Sequence, residues 1–171
     1  MKNIVLIGGG TGTFTLLSAL RTYSANNAVI VTTSDDGSST GKLREELGVM
    51  PMGDIRHCLD GLSHADKTIR DMFSYRFESG SLKGHAVGNI MLAALEKISG
   101  GIEPAIAACA RLLDVRGEVV PVTLYPTVLT AILENGKHIV GEQYIDEPRH
   151  NGDLHIKNMK LKPLRGANPK A

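Results

Sequence analysis

Three kinds of residue are scarce in this chain of 171 residues, which has no tryptophan, two cysteines and only 4% aromatic residues. Cys58 and Cys109 lie far apart within apolar helical patterns. We therefore expect buried thiols in a reducing compartment rather than a disulfide framework. So few aromatic rings argue against a surface that stacks the bases of single-stranded nucleic acid. No apolar run approaches the length of a membrane helix or a signal peptide, so we expect a cytoplasmic protein without a membrane partner.

Neither sign of charge is in excess. Lysine and arginine number 19 and aspartate and glutamate 18, which gives a formal net charge of +1. A general nucleic-acid binder needs a clear basic excess, so we expect no nucleic-acid partner. The content of 42% apolar and 22% charged residues is ordinary for a globular chain. A chain of this length buries about two thirds of its unfolded surface, so its stability requires neither a disulfide nor a metal.

The first 33 residues predict a β-α-β unit. Residues 3–7 form an apolar run that ends at a glycine run, and we expect a strand buried on both faces. Apolar residues with helical spacing follow Thr11, and a second apolar run occupies residues 28–33. Because such crossovers are right-handed, the two strands should be parallel. The predicted fold class is α/β, with a Rossmann-like, mostly parallel sheet, flanking helices and a β-rich C-terminal portion.

The rest of the chain supports a helical part followed by a β-rich C-terminal portion. Residues 34–61 are polar and glycine-rich, with a short helical piece around LREEL, and four segments with helical apolar spacing follow up to about residue 115. Beyond Gly117 the apolar period becomes two, and Asn135-Gly136 is a hairpin signal. We predict one domain over residues 1–162, with a linker-like tail at 163–171. We also expect the chain to be the first half of a longer protein.

The sequence GGGTGT, residues 8–13, opens a helix directly after the first strand. Its backbone N–H groups and the helix dipole favour an anion at the carboxyl end of the sheet, although a glycine run can also be only a tight turn. The dinucleotide fingerprint requires a third glycine where Thr13 or Thr15 stands. We therefore expect no NAD. The hydroxyls of Thr11 and Thr13 add donors.

A second polar loop, DDGSSTGK, follows the second strand. It is not a Walker motif, because Asp36 stands at the first glycine position and Leu43 replaces the required Ser or Thr. The loop at 37–41 can still surround an anion with backbone and hydroxyl donors, while an adjacent carboxylate holds Mg²⁺. An exposed polar turn is the alternative.

Two further short motifs carry polar side chains at the start of helices. Asp54 and Arg56 supply a metal-type oxygen and a bidentate anion clamp, unless Asp54 is only a helix N-cap and Arg56 faces solvent. His85 and Asn89 precede an apolar helix, where His85 is either a ligand contact or a buried hydrogen-bonded residue. The histidines show no paired metal spacing, so we expect no zinc site. The chain offers no obvious base or nucleophile motif, which favours a binding or regulatory protein over an enzyme.

Several of these stretches together carry a family resemblance. The chain resembles the YvcK/CofD-like family, formerly UPF0052, and within it the YvcK branch of gluconeogenesis factors. The resemblance rests on five stretches, namely GGGTGTFTLLSAL (8–20), SDDGSSTGKLREELGVMPMGDIRHCLDGLS (34–63), YRF (75–77), GHAVGNIMLAAL (84–95) and VVPVT (119–123). It implies a Rossmann-like core and a second half with another glycine-rich segment. This chain would then be the N-terminal half.

The resemblance also implies a function. YvcK-type members imply a UDP-sugar ligand such as UDP-N-acetylglucosamine and a role in carbon metabolism, cell shape and cell-wall synthesis. The alternative is a CofD-type 2-phospho-L-lactate transferase that acts on a deazaflavin with Mg²⁺. A homo-oligomer is compatible with either function.

The predicted ligand site combines the residue patterns with the resemblance. The family's glycine turn falls on residues 8–12, its acids on Asp36 and Asp54, and Arg56 and Asn89 follow. The expected metal ligands are Asp36 and Asp54. Ser38 replaces the family's second loop glycine and Lys42 its arginine. The full set of expected ligand-binding residues is Gly8, Gly9, Gly10, Thr11, Gly12, Thr13, Asp36, Gly37, Ser38, Ser39, Gly53, Asp54, Arg56, His85 and Asn89.

Overall fold

The computed structural model describes residues 2–23, 25–146, 153–163 and 166–171. Within these ranges, none of the helices is long and apolar enough to cross a membrane. The elements in chain order are β1 (Lys2–Gly8), α1 (Gly10–Leu20), β2 (Ala25–Val31), α2 (Ser38–Leu47), α3 (Gly53–Leu62), α4 (Lys67–Ser74), α5 (Val87–Ser99), α6 (Ile102–Leu112), β3 (Glu118–Pro121), β4 (Val128–Leu133), β5 (His138–Val140), α7 (Glu142–Asp146) and β6 (Ile156–Lys162).

The first three strands form a parallel sheet in the order β1-β2-β3. Val5 lies opposite Ala28, and Ala28 lies opposite Glu118. The β-α-β unit and the mixed α/β class predicted from the sequence are confirmed. Both β1 and β2 end where a polar, glycine-containing segment begins, so the carboxyl edge of the sheet carries the two segments singled out above.

The helices cover one face of this parallel sheet. On that inner face, α3 packs against β2 and β3, α6 packs against β3, and α1 packs against α3. Leu6 of β1 contacts the resulting core, whereas Val5 is 60% and Ile7 81% exposed. The prediction that β1 is buried on both faces is therefore wrong. An apolar run of five residues cannot distinguish a covered face from an uncovered one.

Helix α3 is the centre of the core. Ile55, Cys58, Leu59 and Leu62 are all fully buried, and the four helical segments predicted between the sheets are confirmed as α3 to α6. The helix predicted around LREEL begins earlier, at Ser38. Because α3 is buried on nearly every side, the polar residues within it lie close to the core rather than in solvent.

The C-terminal part is a separate antiparallel sheet in the order β5-β4-β6, which confirms the predicted β-rich portion. The predicted hairpin turn lies between β4 and β5, where Gly136 has a φ of +81° and the Asn135 side chain accepts a bond from the Lys137 N–H. The apolar run after His138 divides into β5 and the short helix α7. Near the end of the chain, Asn168 is buried and its backbone N–H donates to the carbonyl of Val122.

The two thiols provide a first test of this packing. Cys58 and Cys109 are buried, free cysteines, and burial raises the pKa of each to about 12. Because the thiolate is the reactive form, neither should react with Ellman's reagent in the native protein at about pH 8, and both should react in denaturant. Rapid labelling of either native thiol would contradict the packing of α3 or α6.

Candidate functional site

The glycine turn after β1 is tied to α3 through Asp54. Helix α1 begins at Gly10 after an N-cap residue, Gly9, that has no side chain, and the Gly10 N–H donates instead to Asp54 Oδ1 at 2.7 Å. The backbone at Gly9 lies so close to this carboxylate that a Cβ there would be 2.2 Å from Asp54 Oδ2. Only glycine allows this approach. The turn therefore places the first turn of α1 directly beside the first turn of α3.

Asp35 performs the same task after β2. Its Oδ1 accepts from the Gly37 N–H at 2.8 Å, and its Oδ2 accepts from the Thr40 hydroxyl at 3.0 Å. The same carboxylate lies against the backbone of Gly53, the first residue of α3. Asp35 thus fixes the start of α2 against the start of α3.

A buried network joins α2 to α5. Ser39 Oγ accepts from the Asn89 amide nitrogen at 3.2 Å and lies 3.1 Å from His85 Nδ1. The serine hydroxyl has one proton and two lone pairs, so with its bond from Asn89 it can still donate to Nδ1 or accept from it, according to the tautomer of the ring. All three side chains are buried. His85 is therefore a buried, hydrogen-bonded histidine at the junction of the two helices.

Arg56 is a buried cation with no carboxylate at ion-pair distance among the described residues. It is only 4% exposed. Its Nε has no hydrogen-bond partner among the described residues, and its terminal NH2 group donates to His57 Nε2 at 2.5 Å. Burial, followed by the nearby Arg76 cation, lowers the pKa of Arg56, while the charges of Asp60, Asp35 and Asp54 act in the opposite direction. A buried charge is costly unless it is paired, so this guanidinium is suited to an anionic ligand.

Arg56 lies where four helices begin. Its aliphatic stem packs against Gly88, because a Cβ at Gly88 would be 2.9 Å from Arg56 Cδ. The contacts of Asp54, Asp35 and Ser39 connect the remaining helix starts. The N-cap residues of α1, α2, α3 and α5 make no side-chain hydrogen bond to their helix, whereas Asp66 caps α4. In α1 the Gly10 N–H is bound by Asp54 instead. The other first-turn N–H groups and the helix dipoles attract anions, so the arrangement is a candidate anion site at the carboxyl edge of the sheet.

The structure brings most of the predicted site residues to this junction. The residues that lie at it or contact it are Gly9, Gly10, Gly37, Ser39, Gly53, Asp54, Arg56, His85 and Asn89. Gly8 ends β1 just before the turn, and the backbone of Ser38 begins α2.

Other predicted residues have different surroundings. Asp36 turns toward α7, where its two carboxylate oxygens accept from the Glu142 and Gln143 N–H groups at 3.1 and 3.0 Å. The Thr13 hydroxyl donates to the Gly9 carbonyl at 3.0 Å. Thr11 and Gly12 are exposed on α1. Asp36 is therefore a cap of α7, and Thr11 and Gly12 lie on the exposed side of α1.

The carboxylates near the junction bear on the expected metal. Among the described residues there is no cluster of three or more His, Cys, Asp or Glu side chains suited to a metal ion. Burial, and then the charge of Asp35, raises the pKa of Asp54. Burial and four neighbouring carboxylates, Asp35 first, also raise the pKa of Glu142. These acids repel one another, and a cation beside Asp35 and Asp54 would relieve that repulsion. Asp35, rather than Asp36, is therefore placed to hold a cation together with Asp54.

Sequence reasoning missed three contributors to the site. Thr32 donates a 3.4 Å hydrogen bond to Asp54 Oδ2, and His57 accepts from Arg56. Burial, with Arg56 second, lowers the pKa of His57 to about 4, so the ring is neutral at physiological pH. The third contributor is Asp35, and the sequence did indicate it, because Asp35 stands next to Asp36 at the end of a strand. His57 had none, because nothing in its neighbours distinguishes it from an exposed helical histidine.

The environment of Asp54 predicts a pH effect. Met52 is the N-cap of α3, so Asp54 does not cap that helix, and it accepts from α1 instead. Because the folded state raises the pKa of Asp54, the protonated carboxyl stabilises the fold relative to the ionised one. This contribution is fully present below the ordinary pKa of about 3.9 and is lost as pH rises through the folded-state pKa. Asp54→Asn keeps the acceptor oxygen and removes the charge. The stability of this variant relative to the wild type should therefore increase between about pH 4 and about pH 7 in thermal melts. A constant difference would contradict this.

The fold and the junction define a Rossmann-like α/β protein in which several helix starts and a buried arginine lie together at the carboxyl edge of a parallel sheet. The family model described as 2-phospho-L-lactate transferase CofD matches residues 4–171. The chain belongs to the CofD family.

Relatives named as gluconeogenesis factors show which branch of the family this chain is similar to. A protein of Nostoc sp. (strain PCC 7120) is 49% identical over 152 residues, which are 88% of this chain and 33% of the relative. The gluconeogenesis factor of Listeria monocytogenes is 40% identical over 162 residues, 94% of this chain and 50% of the relative. These matches confirm the resemblance to the gluconeogenesis factors. The chain spans about a third to a half of the length of these curated relatives.

A solved structure supports the fold. The crystal structure of protein BH3568 from Bacillus halodurans superposes with a TM-score of 0.90 at 36% sequence identity. The match covers 99% of this chain and 53% of that chain. A second crystal structure of the same protein, described as a member of the UPF0052 family, gives a TM-score of 0.87.

Proposed function

We propose that this chain forms the phosphate-binding part of a protein that binds a sugar nucleotide, with a UDP-sugar such as UDP-N-acetylglucosamine as the ligand. Its role is regulatory, in carbon metabolism, cell shape and cell-wall synthesis. The observation that carries the proposal is the meeting of four helix starts, whose N-cap residues make no side-chain bond, beside the buried Arg56, which forms no ion pair among the described residues. The gluconeogenesis-factor names of the relatives support the link to carbon metabolism.

The chemistry of a diphosphate suits these groups. Its oxygens accept hydrogen bonds from first-turn N–H groups and from the two arms of a guanidinium at once. His57 supports the arginine, since its neutral ring accepts from one terminal nitrogen and fixes the plane of the guanidinium. In this proposal Arg56 is the anchor of the diphosphate and His57 is a positioning residue.

The proposed ligand also explains the acids. Mg²⁺ would be held by Asp54 with Asp35, and it would neutralise part of the charge of the diphosphate. The two carboxylates would otherwise repel the ligand. We therefore expect affinity to rise with Mg²⁺ and to depend on it less in Asp54→Asn.

Isothermal titration with UDP-N-acetylglucosamine, with and without Mg²⁺, tests the proposal. Because this chain spans at most half of its relatives, contacts to the base or the sugar can be absent, and we expect weak binding that is strengthened by Mg²⁺. Lys67→Gln, an exposed substitution on α4, is the matched control and should leave binding unchanged. Absence of binding at millimolar ligand by both this chain and the full-length Listeria relative would contradict the proposal.

The transferase named in the family description is the alternative, and it predicts turnover rather than binding alone. Incubation of the protein with Mg²⁺, a phospholactate donor and a deazaflavin separates the two. Product formation would replace the regulatory role with catalysis, whereas binding of the UDP-sugar without product supports the proposal.

A further inference from the structure

A short hairpin, residues 75–86, ends where α5 begins. Its two arms are joined by backbone hydrogen bonds, among them the bond from the Phe77 N–H to the His85 carbonyl at 3.1 Å. Next to this bond, Arg76 lies antiparallel and directly opposite Ala86. Because Ala86 is the N-cap residue of α5, the hairpin fixes the backbone of Arg76 at one of the four helix starts.

The pairing also decides on which side of the hairpin Arg76 lies. Directly opposite residues of an antiparallel pair have their side chains on the same side, and successive residues alternate. Ala86 is fully buried, so Arg76 leaves the hairpin on the side that faces the core. The rings of Tyr75 and Phe77 lie on the other side, where they meet edge to face with centroids 5.3 Å apart. The aromatic pair therefore supports the hairpin from behind while Arg76 faces the helix starts.

Arg76 and Arg56 are neighbouring cations. The charge of Arg76 contributes to the lowered pKa values of both Arg56 and His57, which lie at the junction. Neither arginine forms an ion pair with a carboxylate in the part of the chain that the structure describes. Arg76 is exposed, and its Nη1 donates to the Gly84 carbonyl. A guanidinium has five N–H donors, so this bond leaves most of them for a ligand.

Two guanidinium groups at different depths fit two linked anionic groups. Arg56 is buried at the helix starts, and its Nε has no hydrogen-bond partner among the described residues. Arg76 lies nearer to solvent, at the end of the hairpin. Like charges repel, and an anion that contacts both cations relieves that repulsion. Each phosphoryl group of a diphosphate offers oxygens that match one planar fork, whereas a monophosphate has only one such group.

We propose that Arg76 binds the second phosphoryl group of a diphosphate whose first phosphoryl group is held by Arg56. Arg76 is then the residue that makes the site select diphosphates over monophosphates. The inference rests on the proposed function for the anion site at the helix starts. It does not depend on the base or the sugar of the ligand, so the two can be tested separately.

Titration of the ¹⁵N-labelled chain with inorganic pyrophosphate and with phosphate, at constant ionic strength and without Mg²⁺, tests the proposal. The wild type should bind pyrophosphate more tightly than phosphate. Arg76→Met should weaken pyrophosphate binding by about fivefold or more and change phosphate binding by less than about twofold. Because the side chain is exposed, the melting temperature should change by no more than about 2 °C. The control is Lys83→Met, which removes the same charge from an exposed position of the same hairpin and should leave the preference for pyrophosphate unchanged.

Arg76→Lys should restore part of the preference, because lysine keeps the charge without the fork. A wild type without preference for pyrophosphate, or equal losses for both anions in Arg76→Met, would overturn the proposal. Titration with UDP-N-acetylglucosamine separates this inference from the proposed function. Binding of the sugar nucleotide that Arg76→Met leaves unchanged would overturn the role of Arg76 alone. A pyrophosphate preference that depends on Arg76, in a protein that does not bind the sugar nucleotide, would support the role of Arg76 and contradict the proposed ligand.

Discussion

Arg56→Met should leave the fold at least as stable as the wild type and weaken binding of a phosphate-containing ligand by about 100-fold. The stability follows from the site, because burial of a cation that forms no ion pair is costly and methionine has a similar length without the charge. The loss of affinity follows from the loss of charge-assisted hydrogen bonds, each of which contributes about 1.5–3 kcal/mol. Thermal melts and isothermal titration of the same preparations measure both quantities.

Arg56→Lys separates charge from geometry. Lysine keeps a positive charge but has no planar fork, so it should recover only part of the affinity lost in Arg56→Met. If Arg56→Met instead lowers the melting temperature strongly and leaves affinity unchanged, Arg56 is a structural residue that holds α3 against α5. The anion site would then have to be sought elsewhere.

Gly88→Ala should cause a large loss of stability. A Cβ at this position would lie 2.8 Å from the carbonyl oxygen and a ring carbon of Phe73, and 2.9 Å from Arg56 Cδ. The carbonyl is backbone and cannot rotate away, so α5 or the end of α4 must move. Overpacking of this kind costs about 1–3 kcal/mol, which corresponds to a fall of about 2–12 °C in melting temperature.

Gly12→Ala is the matched control for that substitution. Gly12 is also in a helix, but a Cβ there meets no atom within 4 Å. Alanine is a better helix former than glycine by about 0.5–1 kcal/mol, so this variant should melt slightly above the wild type. A Gly88→Ala protein as stable as Gly12→Ala would show that α5 does not begin against Phe73 and Arg56.

The sequence was a good guide to the parts of the site that depend on local pattern. A glycine run after an apolar strand predicts a helix start, and the structure has α1 beginning at Gly10. Asp54 was correctly singled out, although as a possible cap of its own helix. Its actual partner is the Gly10 N–H, 44 residues away in the chain. Which acid faces which helix start is decided by tertiary packing, and two adjacent aspartates look equivalent in the sequence. Asp36 caps α7, and Asp35 stays at the junction.

The uncovered face of the sheet and the isolation of Arg56 were beyond local reasoning for a related reason. The apolar run of β1 predicts a buried strand, and only the strand order reveals that the described part of the chain covers one of its faces. Likewise, an arginine in a helix is usually solvated. Its burial follows from the packing of α3 against α1, α5 and the sheet, which no spacing of residues encodes directly.

The central claim is that the four helix starts around Arg56 form one anion site. Titration of ¹⁵N-labelled protein with UDP-N-acetylglucosamine, followed by amide chemical shifts, tests it most directly because weak binding remains visible residue by residue. The account predicts that the largest shifts occur together at Gly10, Ser39, Gly53 and Gly88, and that Arg56→Met abolishes them. Shifts confined to the amino-terminal edge of the sheet, around Tyr23 and Asn27, or an unchanged pattern in Arg56→Met, would contradict the account.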